Sequence, residues 1–227
     1  MATFADIQKL KTTLIRKAKS GSGFLAPITA PVVDESFVGV GGVLAELPTD
    51  YFDLGWLSND GMSFARDQSS SDVTSFGSVT PTRSDVTSDT ETVTVVAQET
   101  KLDTIGLYTG VDTVSIKTPG ANGAVMVRKP ATPTTRHYRG FFISKDDGDF
   151  GDIYIARVMP RVKVTSFSEQ AYGGGDDPIS WGVTLTGYMD PDEGFATGYL
   201  FGGPGWNALL DDMGFDATNV TAAPVTP

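Results

Sequence analysis

The chain has 227 residues, 40% of them hydrophobic and 20% charged, with 26 glycines and 13 prolines. That is enough apolar side chain for one large packed domain, or one domain with arms, and it is neither a collagen nor a disordered-chain composition. A net charge of −11 with no cysteine excludes general attraction to phosphate backbones or anionic lipid, and it excludes disulfides, thiolate nucleophiles and Cys-ligated metal centres. No stretch approaches the ~18–20 apolar residues of a bilayer span. The richest, Val38–Ala45, contains Gly39, Gly41 and Gly42. A secretory signal is not expected either, because the apolar run from Phe24 to Val33 is broken by Pro27 and Pro31, so the Asn219-Val220-Thr221 glycosylation pattern has no route to its modification.

The first twenty residues stand apart in charge. Lys9, Lys11, Arg16, Lys17 and Lys19 face a single acid, Asp6, which leaves 12 basic and 27 acidic residues, a net of −15, for the remainder. Phe4, Ile7, Leu10, Leu14, Ile15 and Ala18 recur at three- and four-residue spacing, so the segment reads as a basic amphipathic helix or arm. Thr3 with Asp6 resembles a capping box, and Ser20-Gly21-Ser22-Gly23 reads as its stop and hinge. Docking on its own domain and docking on an acidic neighbouring copy are both open.

From about Val32 the signal is β: short runs of Val, Thr, Phe and Ser between Gly, Pro and Asp. Gly61–Arg66 alternates, and Asp72–Thr100 is Ser/Thr-rich with a two-residue period at Thr92–Val95. Val73, Phe76, Val79 and Val86 within that region predict strands joined by an extended, partly exposed loop rather than disorder. One short helix is expected at Leu102–Tyr108, capped by Thr100-x-x-Asp103 and ended by Gly110. Further strands are expected at Val114–Lys117, Ala124–Lys129, His137–Ser144, Asp152–Phe167 and Ile179–Tyr188. In the longest, Ile155, Arg157, Met159, Arg161, Lys163 and Thr165 are expected on one face, and Tyr154, Ala156, Val158, Val162 and Val164 on the other. Pro160 marks a bulge or an edge there. Beyond Tyr188 the chain is rich in glycine and acid and reads as a C-terminal arm. No repeat of ~20–50 residues is present.

Catalytic patterns are missing. The single histidine, His137, lies between arginines at a strand start with no Ser or Cys nucleophile motif near it. Gly39-x-Gly41 opens like a dinucleotide fingerprint, but Leu44 holds the third glycine position. Two acidic clusters, Asp146-Asp147-Gly148-Asp149 with Asp152 and Gly173-Gly174-Gly175-Asp176-Asp177, read as turns. The first fails the calcium-loop pattern because Asp152 stands where the turn glycine belongs. Carboxylate pairs for glycoside hydrolysis lack a sugar platform, since Trp56, Trp181 and Trp206 are scattered. No catalytic, cofactor-binding or metal residue is expected. Long strands with exposed edges recruit other chains, so assembly into a closed ring is the physical expectation.

Four passages carry a resemblance: Gly55-Trp56-Leu57-Ser58-Asn59-Asp60-Gly61-Met62; Phe76-Gly77 with Pro81-Thr82-Arg83-Ser84-Asp85-Val86; Ala97-Gln98-Glu99-Thr100-Lys101; and Ile179–Tyr188 closing on Met189-Asp190-Pro191. In this order and spacing, over about residues 30–210, the chain resembles the major tail tube proteins of long, non-contractile-tailed bacteriophages. The resemblance implies a mainly β fold, a tail-tube β-sandwich or barrel over 24–190 with one short flanking helix, an N-terminal arm over 1–23 and a C-terminal arm over 191–227. It implies hexameric rings stacked into a virion tail tube through which DNA passes without specific binding, assembled in the host cytoplasm. The implied partners are the chain itself and tape measure, tail terminator and distal tail proteins, with no membrane. The loop around 67–90 would reach the neighbouring ring. Self-assembly contacts are expected at Lys9, Lys11 and Arg16, at Asp72, Phe76, Arg83 and Asp85, and at Arg157, Arg161 and Lys163, where bases meet acids. A capsid decoration protein, or a carbohydrate-binding module, is the alternative.

Overall fold

Strands need a partner along each edge and cover for at least one face, and most of this chain gains both by folding one antiparallel sheet over itself. The computed structural model describes residues 3–132, 134–173, 175 and 178–218, without the side chains of residues 5 and 6. The Asp6 capping reading, Asp176-Asp177 and the Asn219 pattern lie outside the described residues. The described residues form eight strands: β1 (Ser20–Pro27), β2 (Phe52–Asp53), β3 (Leu57–Val73), β4 (Arg83–Ala97), β5 (Tyr138–Gly148), β6 (Gly151–Phe167), β7 (Trp181–Gly187) and β8 (Gly198–Gly202). Their order is β2-β1-β5-β6-β7-β4-β3, with β8 paired to β6. The chain is mainly β, as expected.

β6 turns this path into two layers. Its first half lies between β5 and β8, and its second half pairs with β7. Between these halves Tyr138 stands opposite Val162 and Gly140 opposite Met159, so Arg139 alone faces Pro160 and Arg161. This is a bulge at the residue that cannot donate a ladder hydrogen bond. The bulge changes the parity of the strand. Ala156 and Val158 pack with Val33, Phe37 and Phe141 on one face of β5–β6. Met159 and Val162 both join the main core, with Leu25, Phe142, Val93, Val95, Val183 and Leu185. The expected single face of Arg157, Met159, Arg161 and Lys163 is therefore corrected: Arg157 shares the face of Met159, whereas Arg161 and Lys163 lie on the other side of the bulge.

β5 is covered on both faces, Phe142 lying in the main core and Phe141 in the second cluster. The layers close where Phe64 of β3 meets Phe142 of β5 edge-on, ring centroids 6.0 Å apart. Ser20–Gly23 is no hinge but the start of β1, paired from Ser20 opposite Lys145 onward. A Cβ on Gly21 would lie 2.8 Å from the Ile143 carbonyl oxygen, so the glycine serves a close strand approach.

Among the described residues five short α-helices accompany the strands: α1 (Phe4–Ile7), α2 (Leu102–Thr109), α3 (Thr113–Ile116), α4 (Pro204–Asn207) and α5 (Leu210–Met213). α2 is the expected flanking helix, ending at Gly110 in a left-handed conformation. Its cap is not Thr100-x-x-Asp103: the Lys101 amide donates to Thr104 Oγ1 at 3.1 Å, and that hydroxyl donates to the Glu99 carbonyl at 2.8 Å. The expected strand at Val114–Lys117 is α3, because the Asp112 carboxylate accepts from the Val114 amide at 3.1 Å and starts a helical turn. Ala124–Lys129 joins no ladder. The N-terminal stripe forms only α1 and a 3-10 turn at Thr12–Leu14, not one continuous helix. Of the glycine-rich stretch after 191, β8, α4 and α5 pack on the body. A Cβ on Gly205 would lie 2.3 Å from the Gly151 carbonyl oxygen, so backbone packs directly on backbone.

Candidate self-assembly surface

β3 and β4 form the longest ladder, running from Met62 opposite Val95 to Val73 opposite Arg83. Its inner part is core. From residue 65 to residue 89 every position is exposed. The expected loop around 67–90 is thus a two-stranded ribbon, and the six steps from Asp67 to Val73, with the turn beyond them, carry it roughly 20–25 Å from the body. Alternating Ser, Thr and Asp make both ribbon faces polar, which keeps a doubly exposed sheet in solution. The tip is held by the Thr82 amide on the Val73 carbonyl at 2.8 Å and by the Ser75 and Thr82 hydroxyls at 2.7 Å. Phe76 and Val79 project from it with no part of their surface covered. Asp72, Phe76, Arg83 and Asp85 lie together here. Arg83 is held by Asp85 at 2.7 Å, leaving the apolar tip as the least satisfied feature. An isolated two-stranded ribbon is marginal in water.

The basic N-terminal segment is fastened to its own chain. Lys11 Nζ donates to Asp212 Oδ1 at 2.7 Å, Arg16 approaches Asp146 at 3.8 Å and Lys19 approaches Asp147 at 3.3 Å. The Lys17 amide donates to the same Asp146 carboxylate at 3.2 Å. The β5–β6 turn is acidic because it receives this segment. Phe4, Ile7, Leu10 and Ile15 meanwhile stay 68–80% exposed. Lys9 is exposed in the stretch between them. What this segment offers to another molecule is apolar surface rather than the charge of Lys11 or Arg16.

The basic residues of β6 divide at the bulge. Arg157 lies inside the chain, 4.2 Å from the Phe64 ring centroid and 4.7 Å from that of Tyr199, with Nη1 3.2 Å from Glu91 Oε2. Arg161 lines a cleft of about 820 Å³ together with Arg136, His137, Asp103, Asp112, Leu107 and Val111. Lys163 lines an adjoining cleft of about 280 Å³ with Lys129 and Phe167. Burial, then the charges of Arg161 and Lys163, hold His137 below its ordinary value of 6.5. The histidine stacks edge-on to Tyr188.

Residues that sequence reasoning missed are Glu91, Tyr199 and the pair Arg139–Asp190. Glu91 had a readable signal: it shares strand parity with the buried Val93, Val95 and Ala97, and an acid on an inward face needs a buried partner. Arg139 and Asp190 are 8% and 3% exposed. Arg139 donates to the Pro160 carbonyl at 2.7 Å and to Asp190, while Asp190 Oδ1 accepts from the Asp192 amide at 3.0 Å. This joins the bulge to the turn after β7. Burial raises the Asp190 pKa, but the Asp192 amide and Arg139 outweigh it and the carboxyl lies below 3.8. Among the described residues, no three His, Asp or Glu side chains converge as a metal site. No helix among the described residues is long and apolar enough to cross a membrane.

Comparison with known proteins places this geometry. No curated protein matches the chain. A chain from a solved structure of the virion of a native gene transfer agent particle is similar to it at 12% identity and a TM-score of 0.33, covering 68% of this chain and 91% of that one. A family model described as phage tail tube protein matches residues 12–197. That match spans both layers, the ribbon and the bulge, and by it the chain belongs to the phage tail tube protein family, as a structural protein of the virion tail.

Proposed function

We propose that copies of this chain close into hexameric rings, that the rings stack into the tail tube, and that DNA leaves the capsid through the bore. The observation that carries this reading is the β3–β4 ribbon. It is a built element about 20–25 Å long whose Phe76 and Val79 find no cover within their own chain. Burying each of those side chains on a neighbour contributes about 1.5–3 kcal/mol before ordering costs, repeated at every copy of a ring. The ribbon reaches the adjacent ring, with Asp72, Arg83 and Asp85 setting its register there. The exposed edge of β3 is covered within the ring.

Arg161 and Lys163 sit at contacts between copies, where acids meet them. Lys9 and the exposed apolar residues of segment 1–23 form a further contact, as does the region from 191 onward. Lys11 and Arg16 act by holding that segment in place. The net charge of −11 supports a bore that repels the DNA phosphates, so the duplex slides without being held. Tape measure, tail terminator and distal tail proteins are the partners that finish the tube, and the chain performs no catalysis.

Electron microscopy of the concentrated purified protein tests the reading. Hollow filaments of uniform diameter are expected, and their loss on replacing Phe76 and Val79 by serine. Particles that stay small under every assembly condition, with the native tip intact, would overturn it.

A further inference from the structure

Where the ribbon leaves the body, four charged side chains of alternating sign form a row across the two layers. Arg157 comes from β6, Glu91 and Asp89 from β4, and Arg66 from β3. Arg66 stands opposite Glu91 in the ladder, one step inside the pair Asp67–Thr90, beyond which every position of both strands is exposed. Arg157 stands opposite Phe142 on one side and Tyr199 on the other. Its guanidinium fills the space between the Phe64 and Tyr199 rings, at 4.2 and 4.7 Å from their centroids. Each oxygen of Glu91 has its own donor: Arg157 Nη1 at 3.2 Å and the Tyr199 hydroxyl at 2.6 Å. Further out, Arg66 Nε donates to Asp89 Oδ1 at 2.8 Å. The side chains of Arg157 and Glu91 are 27% and 12% exposed, whereas Arg66 and Asp89 are 58% and 36% exposed.

We infer that Arg157, Glu91 and Tyr199 are positioning residues that lock the direction in which the β3–β4 ribbon leaves the body. The physical reason is leverage. A ladder of two strands bends and twists easily, and a tip roughly 20 Å away moves by several ångströms for a small change of angle at its root. β3 is an edge strand, so nothing beyond it steadies the ribbon. Glu91 hydrogen-bonded to both β6 and β8, with a planar cation stacked on Phe64 of β3, joins both ribbon strands to the opposite layer at the last covered position. A planar, forked group is required because one face must meet Phe64 while an edge reaches Glu91. Arg66 and Asp89 extend the brace along the ribbon but, being open to water, add little rigidity.

This inference rests on the reading of the ribbon as the assembly element, and its test separates the two. The native chain has no cysteine, so Ser78→Cys at the tip and Ser115→Cys in α3 accept a pair of spin labels cleanly. The tip-to-body distance distribution of the unassembled full chain is narrow in the parent. It broadens in Arg157→Lys, which keeps the charge and loses the stacking plane, and in Glu91→Gln. Tyr199→Phe, which removes a single hydroxyl, broadens it less and retains the fold should the other two lose stability. The concentration at which tubes appear rises about tenfold in Arg157→Lys, while Phe76→Ser raises it with the distance distribution unchanged. Distributions as narrow as the parent's in Arg157→Lys and Glu91→Gln overturn the latch. An unchanged assembly concentration in Phe76→Ser, with broadening in Arg157→Lys, overturns the assembly reading and leaves the latch standing.

Discussion

β4 contains two materials in one strand. From Val93 to Ala97 it has ladder partners on both edges and side chains in the core, whereas from Arg83 to Asp89 it has one partner and no covered face. The backbone geometry is the same, and so is the Thr/Val/Ser vocabulary. What differs is where the missing contacts are found. The inner half is completed by its own chain through Phe142, Val183 and Leu185, and the outer half finds no cover there. If the ribbon is the assembly element proposed above, stability of one copy and assembly are separated along a single strand.

That separation predicts a ranking of effects on the isolated copy. Phe142→Ala empties the centre of the main core, and a loss of about 3–5 kcal/mol is expected in denaturant unfolding. A smaller loss would mean that the two layers collapse onto the gap and that the core is looser than its burial implies. Asp190→Asn comes next. Its native carboxyl lies below 3.8, so the wild type gains stability from it above that pH and loses it as the pH falls through the lower folded value. The variant loses that acid-dependent part and leaves Arg139 buried without its counter-charge, so the gap between the two Tm profiles should be widest near neutrality and narrow as the pH falls below 3.8. A gap constant with pH would remove the ion pair from the account.

Smaller again is the paired change Phe76→Ser with Val79→Ser. It should leave unfolding of the isolated copy within about 0.5 kcal/mol, because neither side chain touches the body, while tube formation is lost. If unfolding moves as much as assembly does, the ribbon tip is not the independent region described above. Least of all, Lys19→Ala removes an exposed ion pair with Asp147 and should change Tm barely, by an amount that disappears in high salt.

Local pattern made several elements readable. Gly61–Arg66 and Thr92–Val95 alternate and are strands, Leu102–Tyr108 with Gly110 is a helix, and Ile179–Tyr188 is β7 to within two residues. The basic N-terminal segment was legible as charge but not as shape, because Lys11, Arg16 and Lys19 pair with acids between 128 and 201 positions away. The Arg157 position shows the same limit more sharply. Strict two-residue alternation assigned Arg157 and Arg161 to one face, and a single inserted residue at Pro160 put them on opposite faces. The glycine-rich stretch around Gly202–Gly205 read as an arm because glycine in a loop and glycine under a crossing backbone look alike in one dimension.

Composition, charge and two-residue periodicity determined by themselves that this is an acidic, cysteine-free β protein with one flanking helix and a Ser/Thr-rich projecting region, since each of those properties is decided by neighbours a few positions apart. Tertiary structure alone decided that β6 switches layers, that the projecting region is a paired ribbon, and that Glu91 and Arg157 meet, 66 positions apart. Those outcomes depend on which edges pair and which faces oppose. That choice is made by the packing of the whole sheet and not by any local preference.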